Sequence, residues 1–137
     1  MKTAPACPCG RLDREARRPL PYDACCGRWL DHFDTAPAPD AESLMRSRYS
    51  AFVLEREAYL LATWHASARP AGVSFDAGTR WLGLEVKSHR TVDADHATVG
   101  FVARQRDAGG RAHRLQETSR FVREQGRWFY LDGDLGV

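Results

Sequence analysis

The sequence has no run of about 18 uncharged apolar residues, so nothing in it reads as a membrane-spanning helix. Its start, MKTAPACPCG, puts cysteines and prolines where a secretory leader needs an apolar stretch. A soluble cytoplasmic protein is expected. Charge of one sign is also lacking: 20 Lys+Arg against 18 Asp+Glu leave a formal net charge of +2. That is too little for a general affinity for nucleic acid or anionic lipid, and neither is expected as a partner. There is no GxGxxG, no phosphate-binding loop and no GxSxG elbow, which removes sequence support for nucleotide-dependent enzymes and serine hydrolases. No K/R-G-F-x-F-type stacking strand for RNA, no internal repeat and no low-complexity tract occurs. What remains is 137 residues, 43% hydrophobic, enough for one two-layer core.

Cysteine is absent after residue 26, and all four, Cys7, Cys9, Cys25 and Cys26, fall at the front of the chain. The same segment carries Lys2, Arg11, Arg14, Arg17, Arg18 and Arg28 against Asp13, Glu15 and Asp23. Neither close cysteine pair bridges well with itself, because such short rings are strained, although cross-pairing is open. In a reducing compartment a close quartet serves metal more often than disulfides, and four soft thiolates complete a tetrahedral structural zinc site. Free thiols and redox use are the alternatives. The arginines read either as a solvated loop or as a basic docking surface for an acidic partner or RNA.

Beyond a proline-bearing linker at 36–39, Asp40 stands as a helix N-cap, and Met45, Tyr49, Phe52 and Val53 recur at helical spacing, widened by Leu44, Ala51 and Leu54. A second helix is expected from Glu57 to about His65, with Leu60 and Trp64 four apart, ended by Pro70 and Gly72. From Arg80 the period becomes two. Leu82, Leu84 and Val86 are expected on one face with Trp81, Gly83 and Glu85 opposite. Ala97, Val99, Phe101 and Ala103 share a parity in a second strand, and Leu115, Glu117, Ser119 and Phe121 in a third. In a fourth, Trp128, Tyr130 and Asp132 oppose Phe129 and Leu131. Turn signals at 93–95, 107–110 and 125–126 make an antiparallel meander, and helices followed by strands give an α+β class.

The run CPCG at Cys7–Gly10, followed by Tyr22, Cys25, Cys26 and Gly27 as Y-x-x-C-C-G, resembles the SEC-C zinc-binding motif. The resemblance implies that the four cysteines are zinc ligands; a similar element in the preprotein translocase ATPase docks onto a partner chaperone. Here the stretch between the cysteine pairs, 11–24, is several residues longer than in that motif and carries Pro19 and Pro21. Further on, LMRSRYSAF, TWH, WLGL, ETSRF and WFYLDG are similar to segments of the YchJ-like family of bacterial proteins. That resemblance covers nearly the whole chain. It implies a nuclear-transport-factor-2-like, or cystatin-like, α+β cone with helices on a curved four-strand antiparallel sheet, behind a small N-terminal zinc element. The expected layout is 1–30 for the zinc element, 31–39 for the linker and 40–137 for the cone. Some members carry a second SEC-C element at the C-terminus, which is expected to be missing here because the chain stops at Val137.

Such cones host isomerases, dehydratases, binding modules and dimerisation domains, so function must come from a site. Glu117 shares its parity with apolar residues; a buried carboxylate needs a partner, for which Arg46, Arg48, Arg120, Tyr49 and His65 are available. Two readings follow: Glu117 as general base with Tyr49 or His65 polarising a substrate, or Glu117 bridged to an arginine of the first helix to lock helix to sheet. Trp64, Trp81 and Trp128, with Ser119, can line an aromatic pocket or simply fill the core. The leading expectation is a zinc-containing binding or adaptor protein, with a partner-docking zinc element attached to a ligand- or partner-binding cone. A small-molecule isomerase or lyase is the alternative, and a homodimer through the convex sheet face is open.

Overall fold

The computed structural model describes residues 5–136; Lys2, counted above with the basic segment, and Val137 lie outside the described residues. Among the described residues the front of the chain holds little regular structure: two isolated antiparallel bridges, Ala6 with Pro21 and Leu12 with Pro19, a 3-10 turn at Tyr22–Ala24 and a short helix α1 at Gly27–Leu30. The residues between the cysteine pairs fold back as a narrow ribbon. Leu20 N donates to Arg11 O at 2.9 Å, Asp13 N to Arg18 O at 2.8 Å and Cys7 N to Leu20 O at 2.9 Å. The lengthened loop is thus accommodated as a hairpin whose two legs bring the cysteine pairs together.

Helix α2 spans Ala41–Val53, and Asp40 caps it as expected, its Oδ1 accepting from Ser43 N at 2.7 Å. The helix is buried on two sides rather than one. Met45, Tyr49 and Phe52 face the sheet, while Ser43, Ser47 and Ser50, at i, i+4 and i+7, let neighbouring chain approach on the other side. Ser47 shares a 2.7 Å hydrogen bond with the Tyr59 hydroxyl of α3, Glu57–Ala62. Helix α3 stops earlier than the expected His65. Trp64 instead forms a parallel bridge with Tyr130; His65 N donates to Tyr130 O, and Tyr130 N to Thr63 O, both at 2.8 Å.

Four strands, β1 Arg80–Asp93, β2 His96–Arg106, β3 Ala112–Glu124 and β4 Arg127–Leu135, form an antiparallel sheet in sequence order. The α+β class and the meander agree with the sequence reading. Two turns, Ala94–Asp95 and Gln125–Gly126, have two residues; the second has φ of 52° and 77°, the left-handed pair of a type I′ hairpin loop.

Two bulges alter the expected faces. In β1, Trp81 pairs with Gln105 but Gly83 with Arg104, so Leu82 is the extra residue. Trp81 therefore joins Leu84 and Val86 on the inner face, and Leu82 is 47% exposed. In β4, Tyr130 pairs with Phe121 but Asp132 with Arg120, which makes Leu131 the extra residue and turns Asp132 outward. Inside, Ala97, Val99, Phe101, Ala103 and Phe121 pack against Leu44, Met45 and Tyr49, and the four cysteines belong to the same cluster. The segment at 31–39 is fastened to the cone as well: Arg127 donates to Phe33 O at 2.8 Å and Asp34 O at 3.0 Å, and its guanidinium lies 4.7 Å from the Phe33 ring. Among the described residues no helix is long and apolar enough to cross a membrane.

Candidate metal site and cone cavity

The Sγ atoms of Cys7, Cys9, Cys25 and Cys26 all lie within 4.8 Å of one another, and all four residues are buried with no disulfide between them. A tetrahedral centre with metal–sulfur bonds of about 2.3 Å puts its sulfurs about 3.8 Å apart. Cys9 and Cys25 stand at 3.6 Å. The four side chains can hold a metal ion, and as a tetrathiolate set they leave no position for substrate.

Local backbone chemistry explains the motif. Gly10, at φ 73°, follows the turn in which its N–H donates to Cys7 O, a conformation that favours glycine. A Cβ on Gly27 would stand 2.8 Å from Tyr22 O and 2.9 Å from the Tyr22 ring, so the residue after the second cysteine pair has no room for a side chain. Arg46 of α2 donates to Cys9 O at 3.2 Å and to Glu42 at 2.8 Å, and Ser50 contacts Cys7 Sγ at 3.5 Å. The four thiols share their protons unequally. Hydrogen bonding from Cys25, Cys26 and Cys9 pulls Cys7 well below the ordinary thiol range. Hydrogen bonds from Cys25 and Cys26 bring Cys9 down to about 7, while those with Cys25 and Cys7 push Cys26 up. A metal would displace the remaining protons.

Of the basic residues beside the cysteines, Arg11 reaches Ser43 at 3.0 Å and Arg28 reaches Cys25 O at 3.1 Å. Arg14, Arg17 and Arg18 are exposed at the ribbon's end.

Between α2 and the inner face of the sheet lies a second feature, a cavity of about 330 Å³. Its walls are mainly apolar: Met45, Phe52, Trp81, Phe101, Ala103 and Phe121, with Leu115. Its polar groups are Arg48, Tyr49, Glu117, Ser119 and Tyr130, and Trp64 closes the side where Thr63–His65 docks on β4. Glu117 Oε2 accepts from the Ser119 hydroxyl and, at 3.3 Å, from the Tyr130 hydroxyl. Arg48 is only 6% exposed. Its Nη1 donates to Leu60 O and Thr63 Oγ1, both at 2.7 Å. The guanidinium stands 5.0 Å from the Trp64 ring centre and 4.7 Å from that of Tyr130. Burial pushes Arg48 down to about 10, so it is still a cation at neutral pH. Burial likewise raises Tyr49 to about 12, and burial with the nearby Glu117 charge raises Tyr130 to about 12.

The cavity thus gathers Arg48, Tyr49, Trp64, Trp81, Glu117 and Ser119, and leaves four other expected members outside. Arg46, two positions from Arg48 and on another side of α2, serves the cysteine segment. Arg120 alternates with Ser119 and Phe121, so it faces outward, paired with Asp132 and with Asp134 at 2.7 Å. Trp128 lies beyond the cavity, near the Arg123 guanidinium at 5.7 Å. His65 is not a helix-terminal residue; its ring contacts Glu124 at 2.8 Å and Ser67 at 2.6 Å. The helix-to-sheet ion pair expected for Glu117 is not among those formed by the described residues, because Arg48 and Glu117 each find other partners. Tyr130, read in the sequence only as a strand residue, is a central member; its alternation with Trp128 was the available signal.

A family model described as the YchJ middle NTF2-like domain matches residues 40–133. The chain belongs to the YchJ-like family. Curated relatives of the YchJ-like chain include a UPF0225 protein of Polaromonas sp. strain JS666, 64% identical over 93% of this chain and 91% of its own length. Another, from Methylibium petroleiphilum, is 63% identical over 94% and 88%. Among solved structures, a SEC-C motif containing protein of Rhodopseudomonas palustris superposes with a TM-score of 0.79 at 30% identity, covering 96% of this chain and 99% of that one. A SEC-C motif containing protein from Psychrobacter arcticus gives 0.76 at 30% identity, covering 96% and 83%. The YchJ-like body and the cysteine element thus recur together in these neighbours.

Proposed function

We propose that this protein is a noncatalytic, zinc-containing binding protein, in which the cysteine element is a structural support and the cone cavity receives a small ligand. The observation that carries the reading is the cavity itself: a half-open concave space lined chiefly by apolar and aromatic side chains, with a few polar groups, is the usual form of a small-molecule site. Zinc is the metal that four thiolates suit best, and a closed tetrathiolate site is structural in character. An isomerase or lyase would need a second proton-transfer group beside Glu117. Tyr49 and Tyr130 do line the cavity, but burial raises both to about 12, and His65 is turned away toward Glu124, which together favour the binding reading.

The test is a titration of the zinc-loaded chain with phenol and with indole, followed by NMR. The reading expects saturable shifts at Met45, Phe101 and Phe121. Titrations that move only surface resonances would contradict it.

A further inference from the structure

The polar groups of the cavity are unevenly satisfied, and the imbalance describes the ligand. Arg48 spends only Nη1 on protein acceptors; among the described residues Nε and Nη2 make no hydrogen bond. Next to it, the buried Trp64 Nε1 also lacks an acceptor. This end of the cavity therefore has more donors than acceptors around a largely buried cation, on which the Glu117 carboxylate also acts electrostatically, and a further acceptor group would complete it. Glu117 shows the opposite imbalance. Its Oε2 takes both the Ser119 and Tyr130 hydroxyls, while Oε1 has no donor among the described residues. Both groups stand against Tyr130, the rest of the lining includes the rings of Trp81, Phe101 and Phe121, and the volume of about 330 Å³ is near the lower end for ligand sites, suited to one ring rather than a cofactor.

We propose, building on the reading of the cone as a binding cavity, that its ligand is a small aromatic carboxylic acid bearing a ring hydroxyl or amino group. The carboxylate lies against the free edge of the Arg48 guanidinium, whose planar fork matches it. The ring lies among Trp81, Phe101 and Phe121, and the hydroxyl or amino group donates to Glu117 Oε1. A neutral phenol leaves Arg48 without its anion, and a plain benzoate leaves Glu117 without its donor, so each is the weaker ligand.

The probe is 4-hydroxybenzoate, compared by calorimetry with benzoate, phenol and cyclohexanecarboxylate on the full, zinc-loaded chain at neutral pH. 4-Hydroxybenzoate is expected to bind at least about tenfold more tightly than each of the other three. Arg48→Gln is expected to reduce it to the level of phenol, and Glu117→Met to reduce it to the level of benzoate. Arg48 also anchors Leu60 and Thr63, and the comparison of ligands on the unmodified chain holds even where that variant does not fold. Phenol binding as tightly as 4-hydroxybenzoate would overturn this inference and leave the binding-protein reading standing. Binding of none of the aromatic compounds would overturn both.

Discussion

Residues 5–39 and the sheet at 80–135 reach order by different means. The first region has seven residues in helical turns and buries its four cysteines with only a few other side chains, Leu30 and Ala38 among them. It is held at points: a ribbon of a few backbone hydrogen bonds, arginine contacts with α2 and, from Arg127, with 33–34, and a cluster of sulfurs. The sheet is held along its length by paired ladders, unbroken between β2 and β3 and bulged in β1 and β4, and by the apolar inner face. A segment with so little apolar surface would draw on a metal held by its cysteines in a way that a sheet backed by a helix would not. The two regions meet on α2, whose serine side receives the cysteines and whose Met45–Tyr49 side closes the cavity.

The difference is open to attack from either region. The largest effect is expected from Cys25→Ser combined with Cys26→Ser, which removes two ligands. Stability should fall by several kcal/mol, on the order of the part of a structural zinc site's binding free energy that is invested in folding. Hydrogen exchange should show residues 7–30 opening while Val99–Ala103 keeps its protection; equal loss in both regions would break the distinction. Next, Phe121→Ala, deep in the sheet's core, should cost about 3–5 kcal/mol in denaturant unfolding. It should leave metal content unchanged, and loss of the metal would show that the regions are not separable. Gly133 pairs with Ser119, and a Cβ there would stand 2.5 Å from Glu117 Oε2. Gly133→Ala should displace that carboxylate at a cost of about 1–3 kcal/mol and weaken 4-hydroxybenzoate binding; unchanged affinity would mean that Glu117 does not face the ligand. The smallest effect is expected from Asp40→Ala, which removes the α2 cap for about 1 kcal/mol, readable as a small drop in melting temperature.

Much of this architecture is written in short-range pattern. The cysteine quartet is legible because its thiols sit in two tight pairs flanked by glycines with specific steric roles, Gly10 and Gly27. The meander is legible because period-two runs end at turn residues. The bulges at Leu82 and Leu131 are not, since one added residue inverts a face without changing composition; Gly83 beside Leu82 is the only local hint of the first. The site was half visible. Parity alone separates outward Arg120 from inward Ser119, and helix phase separates Arg46 from Arg48, but which side of α2 meets the cavity depends on packing that sequence does not display. The Ser43, Ser47 and Ser50 stripe was the missed sign of a helix buried on both sides. Trp64 was placed on a helix because its spacing from Leu60 is helical; pairing with Tyr130 overrides that preference.

The most direct test of the central claim, that a metal organises the cysteine segment on the cone, is elemental analysis of untagged protein purified without chelator, beside the Cys25→Ser, Cys26→Ser variant. The account predicts about one zinc per chain in the unmodified protein and its loss in the variant. A folded, fully reduced protein without metal, with residues 7–30 still protected from exchange, would contradict it.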